Sequence, residues 1–426
     1  MMKKLVDIVI TVNSPGEVSG WLKPVVIALE TFPWRKRITV FVPPCPYASG
    51  AESKVVEEIP QVEQVIGPQE TVRYILCGKL PKDFRPAAHG IVLFLGGDLT
   101  YAALLKKRLG YPAVAYTEGL TNWSQAFARF AMPYHWMAAK IKKTAVKRKT
   151  EVIGNLMLDA VKPQIAKERM QQIMGNETAP GLLLVPGSRP VHFQYMLAFY
   201  IKTVEKIKEQ WPELVAAVSI SPFVTEEQLV DALSGWGARE WGLSATYQVE
   251  KNSSPNSAGI KGLGEIRTET GIIIPCFQYQ QYNLMNWADL ALTIPGTNTI
   301  ELSFMGVPMV VTIPLNHPEE IPLEGLAGMV GGLPLIGRPL KKRLLPKFQA
   351  KIKFTAWPNR LAGEEVVPEL IGKLSPEEVA KVVISMYKDQ TRLLQISEHL
   401  RTIVGEPGAA IRLTKLLQEV LTQYYG

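Results

Sequence analysis

Residues 288–313 follow the pattern of a buried strand, a glycine-containing turn, a short amphipathic helix and a second apolar strand. A turn of this kind presents free backbone N–H groups and the positive end of a helix dipole, which together suit a phosphate. Gly296, Thr297 and Asn298 form the predicted turn. Glu301 follows one helical turn later, where its carboxylate can accept hydrogen bonds from sugar hydroxyls. The alternative is an ordinary strand-to-helix turn with a solvated Glu301.

The same alternation of strand and helix runs through most of the chain and predicts an α/β fold with doubly wound parallel sheets. At 426 residues the chain is too long for one ordinary core, and a linker-like stretch at 175–180 separates two runs of alternation. We therefore predict a first Rossmann-like domain over 1–174, a second over 180–385, and C-terminal helices over 386–426. The segments predicted as strands include 7–12, 38–42, 90–95, 113–116, 182–185, 214–219 and 271–275.

Two stretches interrupt this alternation. Residues 251–270 are polar and rich in Gly, Ser and Asn, which is typical of an exposed loop or hairpin. Residues 315–360 are rich in Pro, Gly and Lys and show no clear periodicity. Neither stretch is assigned to a core element.

The charge balance favours an anionic partner. The net charge is +8 and the pI about 9.1, which suits nucleic acid, a phosphorylated substrate or an acidic membrane surface. Part of the excess is local, in a basic cluster that a solvated helix face would also explain. This basic cluster consists of Lys140, Lys142, Lys143, Lys147, Arg148 and Lys149.

Cysteine usage and hydropathy indicate the compartment. The three cysteines are far apart and fit neither a disulfide framework nor the spacing of a metal site, so we expect a reducing compartment, the cytoplasm. No uncharged run approaches the ~20 residues of a membrane-spanning helix, so any membrane contact is expected to be peripheral. His135, His192 and His317 are isolated and are not expected to bind metal.

Carboxylates follow two predicted strands of the first domain, and ligands of open α/β sheets gather at the carboxyl ends of strands. Residues 13–20 follow the first strand and contain one carboxylate, Glu17. Asp98 follows the strand at 90–95 after two glycines, which allow a ligand to approach the backbone. Both are candidate catalytic residues. The structural alternative for each is a helix cap.

A basic turn follows the first predicted strand of the second domain. Gly187, Ser188 and Arg189 offer backbone donors, a hydroxyl and a guanidinium, all of which suit phosphate oxygens. The alternative for Arg189 is a surface ion pair. The turn is a second candidate phosphate site, beside the turn at 296–298.

Four segments resemble, in order along the chain, the motifs of lipid-A-disaccharide synthases. They are 16–20 (Gly-Glu-Val-Ser-Gly), 184–189 (Leu-Val-Pro-Gly-Ser-Arg), 288–301 and 358–369, which contains the most specific match, Pro-Asn-x-Leu-Ala-Gly. The resemblance covers about residues 7–385. It implies an inverting GT-B glycosyltransferase, with two domains facing across a cleft and C-terminal helices packing back on the first. Such an enzyme passes an N-acetylglucosamine-type sugar from a UDP donor to a lipid-linked acceptor, as a peripheral protein on the inner face of the cytoplasmic membrane.

The resemblance also implies which residues carry the reaction. Catalysis would depend on Asp98 and Glu17. The acceptor side would include Gly16, Ser19 and Gly20. The UDP-sugar would bind to Gly187, Ser188, Arg189, Gly296, Thr297, Asn298, Glu301 and Asn359.

The chain departs from the family pattern at several positions. Trp21, Pro295 and Asn155 stand where the family usually has Asp, Ser and His. No acidic residue follows Arg189 closely, although the family has one there. These departures leave the donor half largely intact and indicate a divergent member whose acceptor is open.

No Asp-x-Asp motif, the usual means of presenting a divalent metal to a nucleotide diphosphate, occurs in the chain. A helix dipole, backbone N–H groups and Arg189 would then meet the charge of the leaving UDP, so we expect metal-independent transfer without a cofactor. Asp98 would take the proton of the acceptor hydroxyl, which requires partial burial to make it a stronger base, and Glu17 is the competing base.

Two other functions stay open at this point. The first is a UDP-sugar epimerase of the same fold, which needs further carboxylates at the sugar. The second is a non-catalytic relative that binds nucleotide sugar or acidic lipid, an option kept by Trp21. No nucleic-acid partner is expected in any of the three.

Overall fold

The computed structural model describes residues 5–44, 52–249, 263–316 and 353–426. The chain divides into two compact units, the first with a parallel sheet and the second with a mostly parallel sheet. Unit 1 comprises Met1–Val161 and Gly405–Gly426, and unit 2 comprises Lys162–Val404. No helix among the described residues is both long and apolar enough to cross a membrane.

Among the described residues, the sheet of unit 1 has seven strands, all of them parallel. They are β1 (Val6–Thr11), β2 (Lys36–Phe41), β3 (Gln64–Ile66), β4 (His89–Phe94), β5 (Ala113–Tyr116), β6 (Arg129–Met132) and β7 (Thr150–Val152). Their spatial order is β3-β2-β1-β4-β5-β6-β7, so the strand order reverses between β1 and β4. The apolar residues of β1 and β4 are buried on both faces, as a parallel sheet with helices on each side requires.

Short helices and one long helix cover this sheet. The helical segments are Pro15–Glu17, the π-helical turn Val18–Leu22, Lys23–Ala28, the 3₁₀ turn Leu29–Thr31, Glu52–Glu57, Pro68–Cys77, Leu99–Leu109, His135–Ala139, Thr144–Lys147, Leu156–Ala160 and Ala409–Tyr425. The last of them returns to unit 1. The Arg412 side chain donates to the carbonyl of Ile153 (2.6 Å), and the Tyr425 hydroxyl donates to the carbonyl of Gly90 (3.2 Å).

In the part of the chain that the structure describes, the sheet of unit 2 has eight strands. They are β8 (Gly181–Val185), β9 (Val215–Ile220), β10 (Ala245–Val249), β11 (Gly264–Thr268), β12 (Ile273–Gln278), β13 (Leu290–Thr293), β14 (Met309–Pro314) and β15 (Glu369–Gly372). Their order is β10-β11-β12-β9-β8-β13-β14-β15, with β11 antiparallel to both of its neighbours and the other pairs parallel. The strand order reverses between β8 and β13, and ligands of doubly wound sheets bind at such a position.

The helices of unit 2 alternate with these strands. They are Lys167–Met174, Pro190–Lys208, Glu226–Ser234, Trp236–Trp241, Gln281–Trp287, Thr297–Met305, Trp357–Ala362, Pro376–Lys388 and Gln390–Ile403. Pro190–Lys208 is the longest of these described helices. It carries apolar residues at helical spacing, and those from Phe193 to Ile207 pack into one large core with β8 and β13.

The predicted doubly wound α/β fold is confirmed, whereas the division between the units falls elsewhere than at 174–180. The chain changes units after Val161, and the helix Lys167–Met174 lies in unit 2. Two contacts hold it there: the Asn283 side chain accepts from the backbone N–H of Gln164 (2.8 Å), and Lys167 pairs with Asp289 (2.7 Å).

The C-terminal helices also divide differently from the predicted block 386–426. Gln390–Ile403 lies in unit 2, where Arg401 donates to the carbonyl of Met305 (3.2 Å), and unit 1 takes only Gly405–Gly426. Most of the unassigned stretch 315–360, and residues 251–262 of the predicted loop or hairpin, lie outside the described residues. The described flanks of the hairpin pair as antiparallel β10 and β11.

Candidate functional site

Two turns lie side by side at the carboxyl edge of the sheet of unit 2. β8 and β13 pair in parallel, with Val185 opposite Thr293, so the turns that follow them emerge at the same height. Gly187, in the first turn, has φ +97° and approaches Ile294 of the second so closely that a Cβ would lie 2.6 Å from the Ile294 Cδ1 atom. Only glycine suits that backbone and that contact. The two predicted phosphate turns are therefore packed against each other.

Each turn opens a helix. Arg189 is the N-cap of Pro190–Lys208 and is half-buried, next to Ser188. Gly296 is the N-cap of Thr297–Met305. The first backbone N–H groups of a helix have no intrahelical acceptor, and the helix dipole is positive at that end. Two helix N-termini and a guanidinium therefore lie at one edge of the sheet, a combination that suits a diphosphate.

Asn298 is turned toward its own loop. Its amide nitrogen donates to the Thr293 hydroxyl and to the carbonyl of Ile294 (3.3 Å). These bonds hold the turn in shape, so the side chain of Asn298 acts in the structure as a brace. The backbone N–H groups of Thr297 and Asn298, at the first two positions of the helix, have no acceptor within it and are donors that this turn offers to a phosphate.

Glu301 is buried, so the alternative of a solvated carboxylate is wrong. It is 8% exposed, and the Tyr282 hydroxyl donates to its Oε1 atom (3.1 Å). Burial raises the pKa of Glu301 to about 7, a rise that the hydrogen bond from Tyr282 partly offsets. Hydrogen bonds from the hydroxyls of a ligand would stabilise the ionised form of this buried carboxyl group. No motif in the sequence indicates this role of Tyr282.

Asn359, which the resemblance assigns to the UDP-sugar site, is fully hydrogen-bonded within its own segment. Its amide nitrogen donates to the carbonyl of Val367 and to Glu369 (both 2.8 Å), and its Oδ1 atom accepts from the backbone N–H groups of Val366 (2.7 Å) and Val367 (2.9 Å). Both donors and both acceptor positions of the amide are thus in use. The neighbouring Trp357 N–H donates to the Thr299 hydroxyl (3.2 Å), so this segment supports the helix that carries Glu301.

In unit 1, Glu17 ties together the ends of β1 and β4. Its Oε2 atom accepts from the backbone N–H groups of Asn13 (3.2 Å) and Ser14 (3.1 Å), and its Oε1 atom accepts from that of Gly97 (3.1 Å). A Cβ on Gly96 would lie 2.0 Å from the carboxyl carbon. Burial raises the pKa of Glu17, while the three backbone hydrogen bonds lower it. Glu17 is the third residue of a helical turn whose N-cap is Ser14, and it completes a capping box while its carboxylate also joins two strand ends.

Asp98 lies just beyond that junction and is exposed. It is the N-cap of Leu99–Leu109, and its Oδ1 atom accepts from the backbone N–H of Thr100 (2.8 Å). Asp98 therefore lacks the partial burial expected of a general base. The side chain nevertheless stands at the carboxyl end of the buried strand β4, as predicted.

The predicted acceptor-side residues lie in the helical turns after β1. Gly16 is in Pro15–Glu17, and Ser19 and Gly20 are in the π-helical turn Val18–Leu22. A Cβ on Gly20 would lie 2.8 Å from the Met157 Cγ atom, so this glycine serves close packing. Trp21, which departs from the family pattern, is 9% exposed and packs edge-on against Tyr116 with 5.2 Å between ring centroids.

The other departures also have identifiable places. Asn155 is the N-cap of Leu156–Ala160, accepts from the Met157 N–H (2.9 Å) and donates to the Tyr134 hydroxyl (2.9 Å). Pro295 is in the turn between β13 and the helix Thr297–Met305. Within the described ranges, no group of three or more His, Cys, Asp or Glu side chains is arranged to hold a metal ion.

No protein-family model matches the chain. Its sequence is similar to the lipid-A-disaccharide synthase of Anaeromyxobacter sp. (strain K), with 24% identity over 384 residues, 85% of this chain and 81% of that protein. It is also similar to the lipid-A-disaccharide synthase of Myxococcus xanthus (strain DK1622), with 23% identity over 274 residues, 63% of this chain. That second match spans 57% of the Myxococcus protein, little more than half its length.

The fold is similar to that of a putative UDP-N-acetylglucosamine 2-epimerase from Listeria monocytogenes, with a TM-score of 0.53 and 14% identity over 98% of this chain and 97% of the other. It is similar as well to Anabaena HepE, solved in complex with UDP and glucose, with a TM-score of 0.51 and 11% identity over 98% of this chain and 100% of the other. At these identities the likeness concerns the fold. The chain thus has the GT-B fold and, over most of its length, resembles lipid-A-disaccharide synthases in sequence as a divergent relative of theirs.

Proposed function

We propose that the chain is a glycosyltransferase that moves an N-acetylglucosamine-type sugar from a UDP donor to a lipid-linked acceptor, with inversion at the anomeric carbon. The observation that carries the proposal is the pair of packed turns at the carboxyl edge of β8 and β13, with the buried Glu301 beside them. The sequence similarity to lipid-A-disaccharide synthases supports the same reaction class.

The donor would bind to unit 2. Backbone N–H groups at Thr297 and Asn298 and the guanidinium of Arg189 would hold the diphosphate, while Glu301 would accept hydrogen bonds from the ribose hydroxyls. These groups supply positive potential where the leaving UDP gains charge. We therefore propose transfer that requires neither a metal ion nor a cofactor.

The acceptor would bind to unit 1. Asp98 is the proposed general base, which removes the proton of the acceptor hydroxyl as that oxygen attacks the sugar. Gly16, Ser19 and Gly20 belong to the helical turns proposed to shape the acceptor site. We propose that the acceptor is lipid-linked and that the protein works in the cytoplasm at the inner face of the membrane.

Product analysis tests the reaction. The full chain is incubated in excess EDTA with UDP-N-acetylglucosamine, radiolabelled in the sugar, and with a bacterial membrane lipid extract. We expect label in the lipid phase together with released UDP. Conversion of the donor to its C2 epimer would assign the epimerase function instead, and an unchanged donor in extracts that support a known synthase would indicate a non-catalytic relative.

We also expect the basic cluster to hold the protein on anionic membrane. Trp136 is 38% exposed with the Lys140 ammonium 4.3 Å from its ring centroid, and Lys142 and Lys143 are exposed. The sequence also places Phe130 near the cluster, but its side chain is buried in β6 and cannot take part.

The measurement is co-sedimentation with phosphatidylserine-containing vesicles. Each Lys near an anionic surface contributes about 1 kcal/mol, so replacing Lys140, Lys142 and Lys143 with Ala is expected to weaken binding about 100-fold at low salt. The matched control replaces three exposed lysines elsewhere in unit 1, Lys79, Lys82 and Lys107. Equal losses in the two triple variants, or binding that ignores salt, would remove the basic cluster from the proposal.

A further inference from the structure

Tyr279 combines two properties that a bulky residue seldom has together. It is 52% exposed, and its backbone has φ +62°, in the left-handed region that disfavours side chains with a Cβ. Such strain persists where the surrounding structure imposes it, and it gathers at ligand sites. The strain alone does not identify a ligand, so the position of the residue must.

The register of the sheet places Tyr279 at the height of the two phosphate turns. It follows β12 directly, and Gln278 pairs with Ile220 of β9. Since Val218 of β9 pairs with Leu184 of β8, Tyr279 emerges level with Gly187. β12 is two strands away from β8, which corresponds to about 10 Å at the usual spacing of neighbouring strands.

A side-chain contact connects the β12 junction, the short segment between β12 and the helix Gln281–Trp287, to the proposed ribose site. Tyr282, three residues after Tyr279, donates its hydroxyl to Glu301 (3.1 Å). A base is attached directly to the ribose, so a nucleoside whose ribose hydroxyls bind Glu301 must direct its base to one side of that residue. A base on the Tyr282 side of Glu301 would meet the β12 junction, because Tyr279 is only three residues from Tyr282.

The junction is also braced. The Gln278 amide donates to the carbonyls of Ser221 and Val224 (both 2.9 Å), and the Asn283 amide donates to Gln280 (2.7 Å). Hydrogen bonds therefore fix the residues on both sides of Tyr279. A fixed loop that presents an exposed aromatic ring is suited to stacking on a flat ligand.

We propose that the ring of Tyr279 stacks on the base of the nucleoside diphosphate donor. This inference rests on the proposed donor site and adds to it the residue that recognises the base. A stacking residue contributes affinity for any base, so it favours nucleoside diphosphates over other diphosphates.

Calorimetric titration of the full chain with UDP and with inorganic pyrophosphate, which lacks the base, tests the proposal. Stacking on one base contributes about 1–3 kcal/mol, so Tyr279→Ala is expected to weaken UDP binding about 5- to 100-fold. Pyrophosphate affinity should stay unchanged, and Tyr279→Phe should bind UDP like the parent. Ile273→Ala, which removes another exposed side chain at the opposite end of β12, serves as the matched control and should have no effect.

A Tyr279→Gly variant separates the ring from the backbone. Glycine adopts φ +62° without strain, so this variant should unfold at a higher temperature than Tyr279→Ala yet bind UDP equally weakly. Parent-like UDP affinity in the Ala variant, or an equal loss for pyrophosphate, would overturn stacking while leaving the donor site in place. Failure of the parent itself to bind UDP would overturn the donor site, and the inference with it.

Discussion

Asp98→Asn is expected to lower kcat for sugar transfer by about 10²- to 10⁴-fold, the usual cost of losing a general base. Asn is as good an N-cap as Asp, so the amide can still accept from the Thr100 N–H and the melting temperature should stay unchanged. UDP affinity should also be unaffected, because the proposed donor residues are in unit 2. Steady-state kinetics, calorimetry and thermal unfolding of the same preparation check these three outcomes.

Glu17→Gln is the decisive comparison for that assignment. Three backbone N–H groups donate to the Glu17 carboxylate, which packs closely against Gly96. In the Gln variant the NH₂ group would face at least one of these donors and could not accept from it. This variant should therefore unfold at a lower temperature than the parent. If Asp98→Asn turns over like the parent while Glu17→Gln, assayed well below its melting temperature, loses turnover, the base is Glu17.

Glu301→Gln is expected to stabilise the ligand-free chain above pH 7. Burial raises the pKa of Glu301 from 4.5 to about 7, so folding favours the protonated carboxyl and stability falls as pH rises from about 4.5 to about 7. A shift of this size corresponds to about 3 kcal/mol. Gln stays neutral and can still accept from Tyr282, so at pH 8 the variant should be more stable, and at pH 4 the two should be alike. Denaturant unfolding at both pH values measures the difference.

The same substitution should weaken UDP binding, since a hydrogen bond to a charged group contributes about 1.5–3 kcal/mol. We expect a loss of about 10- to 100-fold at pH 8 that shrinks at pH 6, where the parent carboxyl is also largely protonated. Glu398→Gln, an exposed carboxylate of unit 2, is the matched control. A variant that gains stability and binds UDP as tightly as the parent would remove Glu301 from the donor site.

The fold was predictable because it follows from local periodicity. Short buried apolar runs such as β1, β4 and β13, each followed by a turn and a helix, predict parallel strands without knowledge of long-range contacts. The unit boundary was not predictable in this way. It depends on a side chain of Asn283 that holds the backbone at Gln164, more than a hundred residues earlier in the chain.

The candidate site shows the same contrast. The turns at Gly187 and Gly296 follow from strand–turn–helix patterns and lie where predicted. The burial of Glu301 by Tyr282 and the use of the Glu17 carboxylate by Gly97, eighty residues away, depend on tertiary packing that no local pattern records. The motif predicts that Asn359 binds the UDP-sugar. Its structural role can be seen only from the hydrogen bonds of its amide group.

We propose that UDP binds without metal at the carboxyl edge of β8 and β13, and calorimetric titration of the full chain with UDP in excess EDTA measures this binding. We expect saturable binding by the parent. We also expect a loss of about 10- to 100-fold in Arg189→Ala, because a charge-assisted hydrogen bond to phosphate contributes about 1.5–3 kcal/mol. No binding in EDTA, binding that appears only with Mg²⁺ or Mn²⁺, or equal affinity in the folded Arg189→Ala variant would contradict it.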